Sequence, residues 1–227
     1  MNFPDDFDLE TFRKDLLTWW HKNQRSYPWR ETRDPYAITI AEVLLHRTRA
    51  DQVVPTYLEF LKKYPSVRQL AKACIEEIQA LVYPLGLRWR VDLLSKMAQD
   101  LHSRFNDQIP SKREELESLP GISHYIATAV RCFAFGYPDA LLDTNTVRIV
   151  GRLLDIPVTD GSRRSREFRI LLETLVDTQH PRLFNFALLD HGALVCRSRS
   201  PLCDECPVLQ HCCYGRSEVG VNFVRMV

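Results

Sequence analysis

The fold is decided by residues 111–136, "SKREELESLPGISHYIATAVRCFAFG". A short charged helix leads into Leu119-Pro120-Gly121, a combination that favours a tight turn. A second helix, "HYIATAV", opens directly after Ser123. The pattern predicts a helix–hairpin–helix, in which backbone N–H groups at the start of the second helix can hold a phosphate without reading the base sequence. Taken alone, the same pattern also fits a joint between two helices that binds nothing.

Outside the hairpin, apolar residues recur with helical spacing, and alternating β patterns are nearly absent. Pro and Gly separate the periodic runs. One run, "PYAITIAEVLLHRT" (35–48), predicts a helix that is opened by Asp34 and Pro35. We therefore expect an all-α protein with about ten helices.

The composition is that of a globular protein, since 45% of the 227 residues are hydrophobic and 26% are charged. No apolar run of about 18 residues is present, and the acidic N-terminus lacks the apolar core of a signal peptide. We therefore expect a cytoplasmic protein without membrane contact, whose thiols stay reduced. The net charge of +1 neither implies nor excludes a polyanionic partner. Arginine-rich segments occur at 45–50, 87–90, 162–169 and 196–200. They are interpreted either as solvated helix faces or as segments that contact phosphate.

Five of the seven cysteines lie within residues 196–213. In a reducing compartment, this bunching and the odd total favour metal ligation over disulfides. Four of them follow the pattern C-x6-C-x2-C-x5-C: Cys196, Cys203, Cys206 and Cys212. A structural zinc site normally has two short cysteine pairs, whereas four thiolates can hold a [4Fe–4S] cluster, one on each iron. The spacing favours the cluster, while a zinc site or an inert loop stays open. We predict that two cysteines elsewhere are core residues, Cys74 and Cys132.

Residues 141–150, "LLDTNTVRIV", place Asp143 at the start of another helix shortly after the hairpin. In this order, the hairpin "LPGI", the segment "LDTNTVR" and the four-cysteine pattern resemble the endonuclease III and MutY superfamily of DNA glycosylases over nearly the whole chain. The resemblance implies a two-domain, all-α helix–hairpin–helix glycosylase fold. It assigns residues 24–136 to a six-helix domain, and residues 1–23 with 137–227 to a domain that carries a [4Fe–4S] cluster on the four cysteines.

The resemblance also implies a DNA glycosylase of base excision repair. Such an enzyme is expected to be a monomer that binds double-stranded DNA and flips a mismatched or damaged base out of the duplex. Family members that also cleave the strand have a lysine nucleophile where this chain has Tyr125, and "SHYIATAV" contains no lysine. We therefore expect a monofunctional enzyme that hydrolyses the N-glycosidic bond with water and has little lyase activity.

Glu42 lies in "YPWRETRDPYAITIAEVLLHRTRADQV" (27–53), which resembles the N-terminal motif of the MutY-like branch, where a helical glutamate enters the base pocket. Its apolar neighbours favour a protonated carboxyl that acts as a general acid, whereas Asp143 at a helix N-terminus is expected to stay charged. We expect Glu42 to give a proton or hydrogen bond to the departing base. Asp143 is expected to stabilise the oxocarbenium-like sugar and orient water, and Tyr125 to lie against the sugar or the base.

The expected DNA contacts come from three places. Arg47, one helical turn after Glu42, is expected to fill the gap in the base stack or to contact the orphan partner base. The hairpin and the cysteine loop are expected to hold phosphates, through Leu119, Gly121 and Ser123 and through Arg197 and Arg199.

The substrate is suggested by "YPWR" (27–30), "TRDPY" (32–36) and Arg47-Thr48 followed by Ala50, which resemble the MIG-type mismatch glycosylases. This resemblance implies removal of thymine or uracil opposite guanine, and an arginine suits the O6 and N7 edge of guanine. MutY-like removal of adenine opposite guanine or 8-oxoguanine is the second possibility, although MutY proteins carry "LQQT" where this chain has "LHRT". Three further possibilities stay open. The protein could remove a different modified base, it could be a non-catalytic DNA-binding relative, or it could be an electron-transfer protein built around the cluster.

Overall fold

The structure is a computed structural model that describes residues 3–5, 7–86 and 88–219. Within these residues it contains 13 α-helices, four short 3₁₀-helices and no strand, which confirms the all-α prediction. It has more helices than expected because several, such as Pro28–Glu31 and Arg113–Glu117, are too short to show a full helical period in the sequence. No helix in the described part of the chain is long and apolar enough to cross a bilayer.

The chain forms two compact units. The central unit comprises Ser26–Tyr137, and the split unit comprises Met1–Arg25 together with Pro138–Val227. The helices of the central unit are α2 (Pro28–Glu31), α3 (Pro35–Leu45), α4 (Ala50–Lys63), α5 (Val67–Ala71), α6 (Ile75–Val82), α7 (Arg88–Arg104), α8 (Arg113–Glu117) and α9 (His124–Phe133). Those of the split unit are α1 (Leu9–Asn23), α10 (Thr144–Leu154), α11 (Arg166–Leu175), α12 (Pro181–Leu194) and α13 (Cys213–Glu218).

Helix α3 forms the core of the central unit, and every residue from Tyr36 to Leu44 is buried. At its start, the Asp34 side chain accepts hydrogen bonds from the N–H groups of Tyr36 and Ala37 at 3.1 and 3.3 Å. These bonds satisfy two of the amides that a helix start leaves open. Because α3 packs against α4 and α9, Glu42 is buried with only 7% of its surface exposed.

The prediction that α3 continues through Thr48 is wrong, because the helix ends at Leu45. His46 leaves the helical region with φ −60° and ψ 115°, and Arg47 has a left-handed φ of 60°. The Thr48 N–H donates to the Leu45 carbonyl oxygen over 3.0 Å. These features define a type II β-turn. Arg47 therefore lies in this turn and not one helical turn after Glu42.

In the split unit, α1 and α10 both pack against α12. Asp190 on α12 is fully buried and accepts hydrogen bonds from Trp20 Nε1 at 2.9 Å and from Arg25 Nε at 2.6 Å. These bonds offset the cost of burying a carboxylate. They join the first segment of the chain to a helix near its other end, which makes one unit from two distant stretches of sequence.

The two cysteines that were predicted to be core residues have different surroundings. Cys132 is fully buried in α9, as predicted, whereas Cys74 is exposed, so the prediction for Cys74 is wrong. Cys74 is the N-cap of α6. At a helix end, the periodic pattern no longer specifies which side of the chain is buried.

Candidate active site

The helix–hairpin–helix consists of α8, a turn and α9. The Ile122 N–H donates to the Leu119 carbonyl oxygen over 3.2 Å. Gly121 has a φ of 81°, the left-handed value that the third residue of a type II turn requires. Leu119 and Ile122 are buried, whereas Gly121 and Ser123 are exposed. The two apolar side chains anchor the turn, so a contact from Leu119 to a partner has to come from its backbone.

The start of α9 follows directly from this turn. Ser123 Oγ accepts a hydrogen bond from the Ile126 N–H at 3.3 Å and caps the helix. The first turn of a helix leaves amides without intrahelical partners and carries the positive end of the helix dipole. Tyr125 lies in this first turn and is partly exposed. Because α9 packs against α3, the helices that carry Tyr125 and Glu42 are neighbours in the central unit.

Sequence reasoning missed Arg90, which lies near the start of α7 and is only 2% exposed. Its Nη1 donates to the carbonyl oxygens of Val43 and Leu44 at 2.7 and 3.3 Å, and its Nη2 lies 3.0 Å from His46 Nδ1. Arg90 belongs to the arginine-rich segment 87–90, of which residue 87 lies outside the described residues. One arginine thus contacts two carbonyl oxygens in the last turn of α3 and the side chain of the residue that follows the helix.

A cavity of about 330 Å³ borders this end of α3 and the hairpin. Its lining includes His46, Trp89, Arg90, Gly121 and Ser123. Burial, together with the positive charges of two nearby arginines, lowers the pKa of His46. The imidazole is therefore neutral at neutral pH and can accept a hydrogen bond from a guanidinium.

Asp143 is the N-cap of α10 and forms a capping box with Thr146, which confirms the predicted helix start. Its Oδ1 accepts hydrogen bonds from the N–H groups of Asn145 and Thr146 at 2.8 and 2.7 Å. Its Oδ2 accepts one from Asn145 Nδ2 at 3.0 Å. These contacts hold the carboxylate in one orientation at the positive end of the helix dipole.

Asn145 and Arg148 stand in the segment "LDTNTVR", but the sequence reasoning gave them no role; in the structure they connect Asp143 to the cysteine loop. Asn145 Oδ1 accepts a hydrogen bond from Arg148 Nη2 at 2.8 Å. Arg148 also donates to the carbonyl oxygens of Gly192 and Cys196, at 2.8 and 2.9 Å. The i, i+3 spacing of Asn145 and Arg148 on one helix face is the signal in the sequence that points to this pair.

The four cysteines of the C-x6-C-x2-C-x5-C pattern line one small cavity of the split unit: Cys196, Cys203, Cys206 and Cys212. Burial is the main cause that raises the pKa of Cys206 to about 12 and that of Cys212 to about 11. Across residues 3–5, 7–86 and 88–219, no group of three or more His, Cys, Asp or Glu side chains is placed to hold a metal ion.

Several groups of the split unit approach these sulfur atoms. Arg152 Nη1 donates to Cys196 Sγ and the Gly215 N–H to Cys212 Sγ, each at 3.3 Å. The loop after Cys196 is fixed from outside, because Arg152 Nη1 also donates to the Arg197 carbonyl oxygen at 2.7 Å. The side chains of Arg197 and Arg199 are exposed on this loop.

Each of the two units contains residues to which the sequence assigns a role. The central unit holds Glu42, Arg47, Leu119, Gly121, Ser123 and Tyr125, and the split unit holds Asp143, Arg197, Arg199 and the four cysteines.

The described residues thus combine an all-α architecture with a helix–hairpin–helix, an N-cap aspartate on a later helix and a four-cysteine loop. The family described as HhH-GPD superfamily base excision DNA repair protein matches residues 40–173. The chain belongs to this family, whose partner is DNA.

Known proteins of this family are similar to the chain over almost its full length. A thymine/uracil-DNA glycosylase from Pyrobaculum aerophilum is 39% identical over 220 residues, which are 92% of this chain and 94% of the relative. The solved structure of a thermostable thymine-DNA glycosylase superposes with a TM-score of 0.84 at 33% identity, over 92% of this chain and 97% of that chain. An adenine DNA glycosylase from Rattus norvegicus is 32% identical over 96% of this chain but only 44% of its own length.

Proposed function

We propose that this protein is a monofunctional DNA N-glycosylase that removes thymine or uracil opposite guanine from double-stranded DNA. The observation that carries the proposal is the fixed carboxylate of Asp143 at the start of α10. The likeness to a thymine/uracil-DNA glycosylase over 92% of the chain supports the choice of base. The exposed turn at Gly121 supports phosphate binding at the start of α9.

Asp143 is assigned the stabilisation of the sugar. Cleavage of an N-glycosidic bond develops positive charge on the sugar ring, and a fixed anion near that charge lowers the barrier. The bonds from Asn145 and Thr146, at 2.8 and 2.7 Å, support this role because they remove the need to reorient the carboxylate during the reaction. The same carboxylate would orient the attacking water.

Glu42 is assigned the proton transfer to the departing base, directly or through a water molecule. A buried carboxyl group that is 7% exposed supports this role because it is shielded from bulk water. A base that leaves with an added proton or hydrogen bond carries less negative charge, which makes it a better leaving group.

Tyr125 supports hydrolysis without strand cleavage. A phenol cannot form a Schiff base with the sugar, so the nucleophile is water and the products are a free base and an abasic site. The DNA strand that contains the abasic site should stay intact until alkali is added. Borohydride should trap no covalent complex between the protein and DNA. Strand cleavage without alkali would contradict this part of the proposal.

The proposed function is tested by base release from otherwise identical duplexes that contain T:G, U:G, A:G or A:8-oxoG. Under single-turnover conditions, we expect alkali-sensitive sites in the T:G and U:G duplexes. Release of adenine alone would replace the proposal with a MutY-like activity, to which the likeness to an adenine DNA glycosylase lends some support. No release from any duplex would contradict a glycosylase.

We further propose that a [4Fe–4S] cluster is held by the four cysteines that line one cavity: Cys196, Cys203, Cys206 and Cys212. Each thiolate would bind a different iron, so the cluster does not require the side chains to converge on one ion, an arrangement that the described residues lack. The donors at 3.3 Å from two of the sulfur atoms support this, because such contacts stabilise thiolate ligands. When bound, the cluster would supply a structural cross-link that stiffens the loop of Arg197 and Arg199 for phosphate contacts.

The cluster is tested by iron and acid-labile sulfide analysis of anaerobically purified protein, together with its visible absorption at about 400 nm. Cys203→Ser should lose iron and absorption. Cys213→Ser is the matched control, since Cys213 adjoins Cys212 but lies outside the four-cysteine pattern. Zinc without iron in the wild-type protein, or equal iron in both variants, would contradict the assignment.

A further inference from the structure

The turn between α3 and α4 contains a residue in an unfavourable backbone conformation. Arg47 occupies the third position of the type II turn with a φ of 60°, where glycine or asparagine is normally found. An arginine pays a steric penalty in this region because of its Cβ atom. Such a conformation persists only where surrounding contacts impose it, and it commonly marks a functional position. The Arg47 side chain is exposed at this turn.

Arg90 supplies the contacts that impose the turn. Its Nη1 bonds to the Val43 and Leu44 carbonyl oxygens satisfy two acceptors that the end of α3 leaves open. Its Nη2 contact to His46 Nδ1, at 3.0 Å, fixes the residue directly before Arg47. Arg90 therefore holds the backbone directly before the turn, and it holds His46, the second residue of the turn, through the imidazole ring.

Trp89 completes this arrangement. Its ring lies edge-on to the His46 ring, with centroids 6.2 Å apart, and the Arg90 guanidinium lies 5.0 Å from the Trp89 ring centroid. Trp89 is 54% exposed. A half-exposed tryptophan thus contacts both members of the Arg90–His46 pair and restricts their movement.

Burial of the Arg90 guanidinium costs more free energy than expected for a residue whose only role is stability. The guanidinium is almost fully buried without a carboxylate partner in any hydrogen bond or ion pair of the described residues, and its Nε atom has no hydrogen-bond partner there. A buried charge with an unsatisfied donor is unfavourable, and an apolar side chain of similar length would pack at lower cost. The contacts of Arg90 are those expected of a residue that fixes the conformation of the turn after α3.

We propose that Arg90 is a positioning residue: by holding the end of α3 and the His46 ring, it fixes the left-handed turn that presents Arg47 to the guanine opposite the substrate base. This inference rests on the proposed function. Arg47 then makes the contact to guanine, for which a guanidinium is well suited, while Arg90 acts through the backbone and does not touch DNA.

The test measures the preference for the opposite base as the ratio of the uracil release rates from U:G and U:A duplexes. A smaller fraction of folded protein lowers both rates equally and leaves this ratio unchanged. Single-turnover uracil release is measured from a U:G duplex and a U:A duplex. Arg90→Met should lower the U:G to U:A rate ratio by about tenfold. Arg47→Ala should lower the ratio equally, and Arg90→Met should have no further effect in the Arg47→Ala background.

Arg13→Met is the matched control. Arg13 also caps a helix end through backbone carbonyl oxygens, those of Thr174, Leu175 and Val176 at 2.9–3.0 Å, but in the split unit. This variant should keep the wild-type ratio. If Arg90→Met does not fold, His46→Leu removes the other end of the contact and should lower the ratio in the same way.

An unchanged ratio in the folded Arg90 or His46 variant would overturn the inference, as would a further loss in the Arg47→Ala background. Failure of the proposed function is a separate outcome, because it would show as a wild-type protein that releases neither thymine nor uracil from any substrate.

Discussion

Arg47 carries the backbone strain at the edge of the site, since an arginine holds a φ of 60° there. Arg47→Gly should raise the free energy of unfolding by about 1 kcal/mol, because glycine has no Cβ atom to clash in this region. It should also lose the preference for guanine, because the side chain is gone. Arg47→Val should have the opposite effect on stability. A β-branched residue is strained more strongly than arginine at this φ, so the free energy of unfolding should fall. Thermal or urea unfolding measures both, and shifts in the same direction would contradict the role of strain.

His46 reports on the arrangement around Arg90. Burial is the main cause of its lowered pKa, and the charges of Arg90 and Arg47 lower it further. Arg90→Met removes one positive charge, so the pKa should rise toward the ordinary value of about 6.5. Because His46 binds a proton more readily in the unfolded chain, protonation of His46 favours unfolding as pH falls from about 6.5 to the pKa of the folded state. Arg90→Met raises the folded-state pKa, so the pH range over which this loss of stability occurs should become narrower. An NMR titration of the His46 ring measures this, with Arg13→Met as a control that should leave the pKa unchanged.

At the scale of elements, the hairpin turn depends on a glycine, Gly121, at which any larger residue is both strained and crowded. An added Cβ at Gly121, which has a φ of 81°, would lie 3.0 Å from Leu93 Cβ, whereas one at Gly136, with a φ of 77°, would meet nothing within 4 Å. Gly136→Ala should therefore cost only the strain of about 1 kcal/mol. Gly121→Ala should cost more, because Leu93 is on a helix and must shift.

The two variants also separate stability from DNA binding. Gly121→Ala should weaken binding to matched and mismatched duplexes alike, because the turn is proposed to hold a phosphate. Gly136→Ala should bind like the wild type. Equal stability losses in the two variants, measured by urea unfolding, would show that the Leu93 contact does not matter.

Local signals explain which elements could be predicted. The start of α10 was predictable because Asp143 and Thr146 form the capping box within four consecutive residues. The end of α3 was not, because "LLHRT" continues the helical pattern and the turn is held by Arg90, more than 40 positions later in the chain. Contacts at such separation leave no trace in local periodicity.

At the scale of the whole molecule, charge acts through its distribution. The net charge is only +1, yet Arg199 is exposed on the cysteine loop. If this loop contacts phosphate, Arg199→Ala should reduce the slope of log affinity against log salt concentration by about 1, for all duplexes. Arg68→Ala is the control, since Arg68 is also exposed but pairs with Asp107 at 3.1 Å. Equal slopes for wild type and Arg199→Ala would contradict the phosphate contact.

The chemistry-bearing residues were more predictable than their supports. Asp143, Glu42 and Tyr125 stand in motifs that span a few residues each, so sequence alone proposed their roles. Arg90 and Arg148 act through backbone carbonyl oxygens of other segments. A sequence pattern records side-chain types and does not record which distant carbonyl a guanidinium will reach.

Across the whole molecule, hydrolysis of the N-glycosidic bond is proposed to depend most strongly on the Asp143 carboxylate. Asn can cap a helix as Asp does, so Asp143→Asn should preserve α10 while removing the negative charge. Asp34→Asn makes the same change at the N-cap of α3 and is the matched control.

The most direct test is single-turnover release of thymine from a T:G duplex by these two variants and the wild type, with duplex binding measured in parallel. Asp143→Asn should bind the duplex as the wild type does and release thymine at least about 100-fold more slowly, while Asp34→Asn should retain the wild-type rate. Thymine release by Asp143→Asn at a rate close to wild type would contradict the assignment of Asp143.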